Sequence, residues 1–299
     1  MVSRRTFIKA GAAAAAVHAL PLPAQPQAAK SRVVVAKGNP RESVRKCVEA
    51  LGGIKAFVKE GSRVVIKPNM GFPNPPEWGS TTHPEVVRAV AELCVEAGAR
   101  RIIIFDNPLR DAQLCREKSG IGEAVKDMKA VVIAMPDDPK FYQETPVPGA
   151  RELKSTAVAK EVLKADCLIN VPAAKTHSAT GVSLGMKNLM GLVHDRQAFH
   201  EKMELNRAIA EQLLVIRPAL TIVSAIYALL TRGPSGPGKV EKLDTVVAST
   251  DPVAADAYTV TLARWYDRKF EGRQVKCIQI AGEMGLGQAD PSNMEIVTV

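Results

Sequence analysis

The sequence predicts an α/β protein, a mostly parallel sheet covered by helices on both faces. Two observations predict it. Short β-branched runs alternate along the chain with amphipathic helical segments, the order that builds parallel sheets. The runs are also apolar almost throughout, Arg101-Ile102-Ile103-Ile104-Phe105 most plainly, as strands buried on both faces must be.

The elements follow in order. Arg32–Ala36 reads as a first strand. Residues 40–51 read as a helix, with Val44, Cys47, Val48 and Leu51 on one face at helical spacing. Arg63–Ile66 is a second strand. Thr82 is placed to cap a helix that opens His83-Pro84-Glu85 and is stopped by Gly98. Residues 101–105, 131–135 and 166–171 give the third, fourth and fifth strands, and more are expected at 220–224, 245–248 and 295–299. Two long Pro-rich loops, 70–80 and 136–149, have the length of lids or binding loops, and 232–238 is a third flexible piece. A soft division near 140–155 would separate two lobes.

Composition narrows the function. Of 299 residues 46% are hydrophobic and 24% charged, which excludes global disorder. Aromatics at 4% leave little for stacking bases or sugars. The formal charge of +9, or +6 without residues 1–29, permits anionic ligands or weak contact with anionic lipid and equally fits a solvated surface with spread charge. No basic run is long enough for a nucleic-acid arm, so no nucleic-acid partner is expected. Cys47, Cys94, Cys115, Cys167 and Cys277 are widely spaced with no CxxC, so neither a zinc knuckle nor an iron–sulfur cluster is expected.

Residues 3–9, Ser-Arg-Arg-Thr-Phe-Ile-Lys, precede a weakly apolar, Ala-rich stretch from Ala10 to Leu20 and then Pro21 and Pro23. The segment resembles a twin-arginine export signal. Residues 1–29 are assigned to it and 30–299 to the α/β domain. The resemblance implies the twin-arginine translocase as a partner and a periplasmic or otherwise exported location. The apolar core is shorter than the ~20 residues a membrane span needs, so no stable span is expected after cleavage.

In open parallel sheets ligands bind outside the carboxyl ends of the strands. The strand ends here deliver Lys67-Pro68-Asn69, Asp106-Asn107-Pro108, Lys175-Thr176-His177 and Ser249-Thr250-Asp251-Pro252. If all these strands run parallel, the groups share one edge. Asn, Asp and Pro also end strands and cap helices for purely local reasons, and Asp251 before Pro252 reads as an N-cap. Turn chemistry does not explain Lys67 or Lys175, since lysine is seldom buried unless paired. The densest segment is 175–200. A helix starting at Ser178 or Thr180 would contain Gly181, Gly185, Lys187 and Gly191. Each interior glycine costs ~1 kcal/mol against alanine, so several together need a reason, close packing or a ligand. His83, His177, His194 and His200, with Asp106, Asp195 and Asp251, could assemble a His/carboxylate site for a divalent metal, although no stereotyped metal spacing is present. A lone histidine is more often a hydrogen-bonded structural residue. No GxGxxG, P-loop or GxSxG motif is found.

The segments VVIKPNM (64–70), TTHPEVVRAVAELCVEAGARRIIIFDNP (81–108), LINVPAAKTHSATGVSLGMKNLMGLV (168–193), DTVVASTDPVAADAY (244–258) and GLGQAD (285–290) resemble the DUF362 family of uncharacterised prokaryotic proteins. The resemblance implies that the patterned polar positions are Lys67, Asn69, Thr82, His83, Asp106, Lys175, His177, Lys187, Asn188, Asp251 and Asp256. Two functions fit. In an enzyme, His177 would be the acid/base, Lys67, Lys175 and Lys187 would hold an anionic substrate, and Asp106 and Asp251 would orient the histidine or hold a metal. Asn69, Thr82, Asn188 and Asp256 would complete the ligand site, and loops 70–80 and 136–149 would close over it. In a non-catalytic binding or accessory protein, the same groups would capture a metal, cofactor or anion without turnover.

Overall fold

The computed structural model describes residues 30–299; the export signal, 1–29, lies outside the described residues. The strands are β1 (Arg32–Lys37), β2 (Arg63–Pro68), β3 (Arg101–Phe105), β4 (Val131–Ala134), β5 (Tyr142–Pro146), β6 (Ser155–Ala159), β7 (Cys167–Val171), β8 (Ala173–His177), β9 (Gly181–Ser183), β10 (Leu220–Leu229), β11 (Val240–Ser249) and β12 (Glu295–Thr298). The main sheet runs β12-β1-β11-β10-β7-β2-β3-β4, with β8 beside β10 and β9 beside β8. β5 and β6 pair antiparallel as a separate small sheet. Among the described residues no helix is long and apolar enough to cross a membrane.

Alternation along each strand fills two cores. Val34, Val64, Ile66, Ile102, Ile104 and Val246 pack on one face with Val44 and Val48 of the helix Pro40–Ala50 and Val86, Val87 and Val90 of the helix Pro84–Glu96. Their strand neighbours Val33, Val35, Val65, Ile103, Phe105 and Val247 turn to the other face. There they meet Val253, Ala257 and Val260 of the helix Pro252–Val260 and Ile278 of the helix Lys276–Glu283. A period of two with both faces covered is why the runs read as continuously apolar.

Three sequence expectations change. The sheet is mostly parallel, but β11 runs against both β1 and β10. It is the return arm of a hairpin whose connection is the Gly/Pro segment expected to be flexible. Its carboxyl end therefore lies at the opposite edge, where Ser249 pairs with Val33 and Thr221 near the starts of β1 and β10. His83, not Thr82, caps the helix at Pro84: its Nδ1 accepts from Glu85 N at 3.3 Å. The helix expected from Ser178 or Thr180 is instead the β8–β9 hairpin, with Gly181 at φ +75° opening β9 after the turn. The chain becomes helical only over Gly185–Asn188 and continues as a tighter 3₁₀ turn through Leu189–Leu192.

Candidate functional site

A cleft of about 590 Å³ opens at the carboxyl edge of the parallel strands. Its floor is charged. Lys67 is the penultimate residue of β2, and Asp106 follows β3 directly, so neighbouring parallel strands present them side by side. Lys67 Nζ lies 3.1 Å from Asp106 Oδ1, with the two side chains 1% and 4% exposed. Nζ also donates to Asn188 Oδ1 at 2.9 Å and to the Pro68 carbonyl. Asp106 Oδ2 accepts from Met70 N at 2.7 Å. Asn188 completes the wall by donating to the Lys67 carbonyl at 2.9 Å and to Asn170 Oδ1 at 2.8 Å. Burial pulls the Lys67 ammonium below its usual range, and Asp106 opposes that shift.

β8 carries the next two groups. After Pro172 the chain resumes as a strand against β10, so Lys175 and His177 are held by sheet pairing rather than by a loop. They point to the cleft by alternation, while Thr176 between them turns away, donates to the Leu229 carbonyl at 3.1 Å and accepts from Gly233 N at 3.0 Å. Lys175 Nζ donates to the Ser80 carbonyl at 2.6 Å and sits 5.6 Å from the Phe72 ring centre. Burial pushes Lys175 down to about 7, and Lys67 and Lys187 push the same way. Lys187 Nζ is 3.5 Å from Met190 Sδ and is pushed down to about 8 by burial and by Arg196. Arg196, anchored to the Pro108 carbonyl at 3.0 Å, is also lowered by burial.

His177 is pushed down to about 3 by burial, then by Lys187, His200 and Lys175. Its Nδ1 accepts from Ala179 N at 3.2 Å, which leaves the ring proton on Nε2. At neutral pH it is therefore a neutral imidazole that presents its Nε2 N–H. His200 stacks on it with ring centres 5.8 Å apart.

The glycines acquire a reason. A Cβ at Gly191 would collide with Asp106 Oδ1 and lie 2.6 Å from Lys67 Cε. A Cβ at Gly185 would lie 2.7 Å from Asp256 Oδ1. That carboxylate accepts from Gly185 N at 2.6 Å and Met186 N at 2.8 Å, and burial pushes it up to about 7. Asp256 thus positions the turn that carries Lys187 and Asn188 from beneath and does not line the cleft.

Several expected site residues lie elsewhere. Asn69 Oδ1 accepts from Ala173 N at 2.8 Å, and Thr82 Oγ1 accepts from Asn69 N at 2.8 Å and donates to the Val171 carbonyl at 2.6 Å. Both pin the β7–β8 junction rather than face the cleft. Asp251 lies at the opposite edge because β11 is reversed. The metal set does not assemble. His83 stacks on Tyr227 outside the cleft at 6.0 Å. His194 also lines the cleft, but its ring contacts the Asp137 carbonyl at 2.9 Å and the Tyr142 ring at 5.0 Å rather than the His177–His200 pair. Among the described residues no three His, Cys, Asp or Glu side chains are grouped to hold a metal ion. Loop 70–80 supplies Gly71 and Phe72 to the wall, but 136–149 folds into β5 and lines no part of the cleft. Arg196 was not singled out in the sequence; its only signal was its place inside the dense 175–200 segment.

Residues 64–261 match the family model for DUF362, a domain of unknown function. Residues 1–21 match the twin-arginine translocation pathway signal sequence. A thylakoid-associated protein of Synechocystis sp. is 29% identical over 221 residues, 72% of this chain and 67% of that one. The lactate racemase apoprotein of Thermoanaerobacterium thermosaccharolyticum superposes with a TM-score of 0.47 at 14% identity, over 73% of this chain and 54% of that one, so the chain spans about half its length. The chain belongs to the DUF362 family. Its signal directs export by the twin-arginine translocase, typically to the periplasm.

Proposed function

We propose that this exported DUF362 protein binds a small anion in the cleft and moves a proton on it, with Lys175 as the base. The observation that carries this reading is a charge imbalance. Three lysines and Arg196 converge on one buried carboxylate, Asp106, with only Asp195 at the exposed rim. Lys67 and Asp106 neutralise each other and are tied into the wall. The charge of Lys175, Lys187 and Arg196 is left for a ligand, and an anion would restore the stabilisation these groups lose on leaving water.

The same environment sets the chemistry. Lys175, at about 7 in the free protein, exchanges its proton near neutrality; a bound anion raises that value, and the fraction of Lys175 still neutral in the complex is the one that accepts a proton from the ligand. Lys187 and the neutral His177 N–H would hold charge that develops on the ligand. The acid/base role thus moves from His177 to Lys175.

The test has two stages. Calorimetric titration with inorganic phosphate and short carboxylates checks binding. NMR in deuterated water then checks exchange of carbon-bound hydrogen in the carboxylates. Exchange that disappears in Lys175→Met supports the reading. Binding without exchange for every probe would leave a capture protein, and no anion binding at all would overturn the reading.

A further inference from the structure

The cleft is charged at its floor and apolar along one wall; at its mouth Leu109 shares the rim with Asp195, Gln197 and His200. Lys67, Asp106 and Lys175 are 1–3% exposed at the bottom. Leu109 is 49% exposed where the cleft opens. Its backbone N–H donates to the Gly71 carbonyl at 3.0 Å, which sets it beside Phe72. Pro234 comes to the same wall from the β10–β11 connection, tied in by Asn74 Nδ2 donating to the Ser235 carbonyl at 2.7 Å. Met190 joins this wall to Lys187.

A bare inorganic anion uses only the floor. The volume is many times that of phosphate or acetate, and clefts of roughly 300–1,000 Å³ take organic molecules of drug size. A large apolar side chain left half in water at a cleft mouth gains from any apolar group laid against it.

We infer that the ligand is an amphiphilic organic anion, with its charged head on Lys175, Lys187 and His177 and an apolar body of several carbons along Phe72, Met190 and Leu109. This deepens the anion reading above and rests on it. The head is held by charge and the N–H of His177, and the body is selected by the removal of apolar surface from water.

The test is calorimetric titration of the exported protein at pH 6.5 with acetate, butanoate, hexanoate, octanoate and inorganic phosphate. Each buried methylene is expected to tighten binding about fourfold, so octanoate should bind at least thirtyfold more tightly than acetate. Leu109→Asp changes an exposed position and should not unfold the protein, which a thermal melt verifies. It is expected to cut the octanoate-to-acetate ratio at least tenfold. Equal affinity for acetate, phosphate and octanoate would overturn the amphiphile and leave the anion site standing. A preference for octanoate unmoved by Leu109→Asp would put the tail elsewhere and also overturn it. Failure of all five probes to bind would overturn the anion reading itself.

Discussion

The two edges of the sheet both carry acidic residues that the sequence marks as candidates, and they treat them differently. At the far edge every oxygen of Asp251 is occupied. Oδ1 accepts from Val253 N and Ala254 N at 2.9 and 3.0 Å, capping the helix Pro252–Val260, and Oδ2 accepts from Ser31 Oγ at 2.6 Å and Gln288 N at 2.8 Å. Gly287 lies against the same carboxylate with no room for a Cβ. The DPVAAD and GLGQAD segments are thus two halves of one structural joint. At the carboxyl edge the accounting is unbalanced, with more buried cations than carboxylates and lysines lowered by burial and mutual repulsion. A polar group whose partners are all intramolecular belongs to the fold. Buried charge that its neighbours do not neutralise waits for something from outside.

Two substitutions separate these cases. Asp251→Ala removes an N-cap and leaves Gln288 N–H without its acceptor. It is expected to lower stability by about 2–4 kcal/mol, read as a fall in Tm, with anion affinity of the folded protein unchanged. Lys175→Met should do the reverse. Replacing Lys175 with an apolar side chain of similar length removes a desolvation cost but leaves the Ser80 carbonyl without its donor, so Tm at pH 7 is expected to change by less than in Asp251→Ala. Anion affinity is expected to fall about a hundredfold, the ~2–3 kcal/mol of a charge-assisted contact. If Asp251→Ala abolished binding, or Lys175→Met unfolded the protein, the distinction between the edges would fail.

What could be read in the sequence followed the same division. The strands and main helices were legible because each is a local pattern: an apolar run or a 3.6-residue stripe. Lys67, Asp106, Lys175 and His177 were legible as strand-end groups, and Lys187 and Asn188 through the family resemblance, and the fold brings all six to one cleft. Asp251 misled because strand direction is not local. Val240-Glu241-Lys242-Leu243 breaks the apolar run, so only the end of β11 was visible and its hairpin return from β10 was not. Thr82 and Asn69 misled because their partners, Val171 and Ala173, are about 90–104 residues away. Arg196 was hidden because an arginine after a turn looks like any solvated one until the chain folds it against Pro108.

Gly191 sharpens the contrast from within the site. Gly191→Ala would drive a methyl group into the Lys67–Asp106 pair, where both partners are buried and neither can swing into solvent. Overpacking of this kind costs about 1–3 kcal/mol. The loss should appear in both Tm and anion affinity, because the displaced pair forms the cleft floor. A variant that kept both would show that the floor can yield, and the packing reason for this glycine would fall.

The smallest effect is on pH. In the free protein Lys175 titrates at about 7 and Lys187 at about 8, against 10.5 for an exposed lysine. Both are lowered on folding, so the unfolded chain binds more protons between these values and 10.5, and the free protein gains stability as pH rises through that window. A bound anion favours the ammonium forms and raises both values. Binding near pH 8 is therefore expected to take up between about one and two protons, and binding at pH 6 almost none. Affinity should fall about twentyfold from pH 6 to pH 8, about tenfold from Lys175 and about twofold from Lys187. Titrations in two buffers of different ionisation enthalpy measure the uptake directly. Uptake that persists at pH 8 in Lys175→Met would assign the proton to Lys187, and no uptake in the unmodified protein would mean that the anion does not meet these lysines.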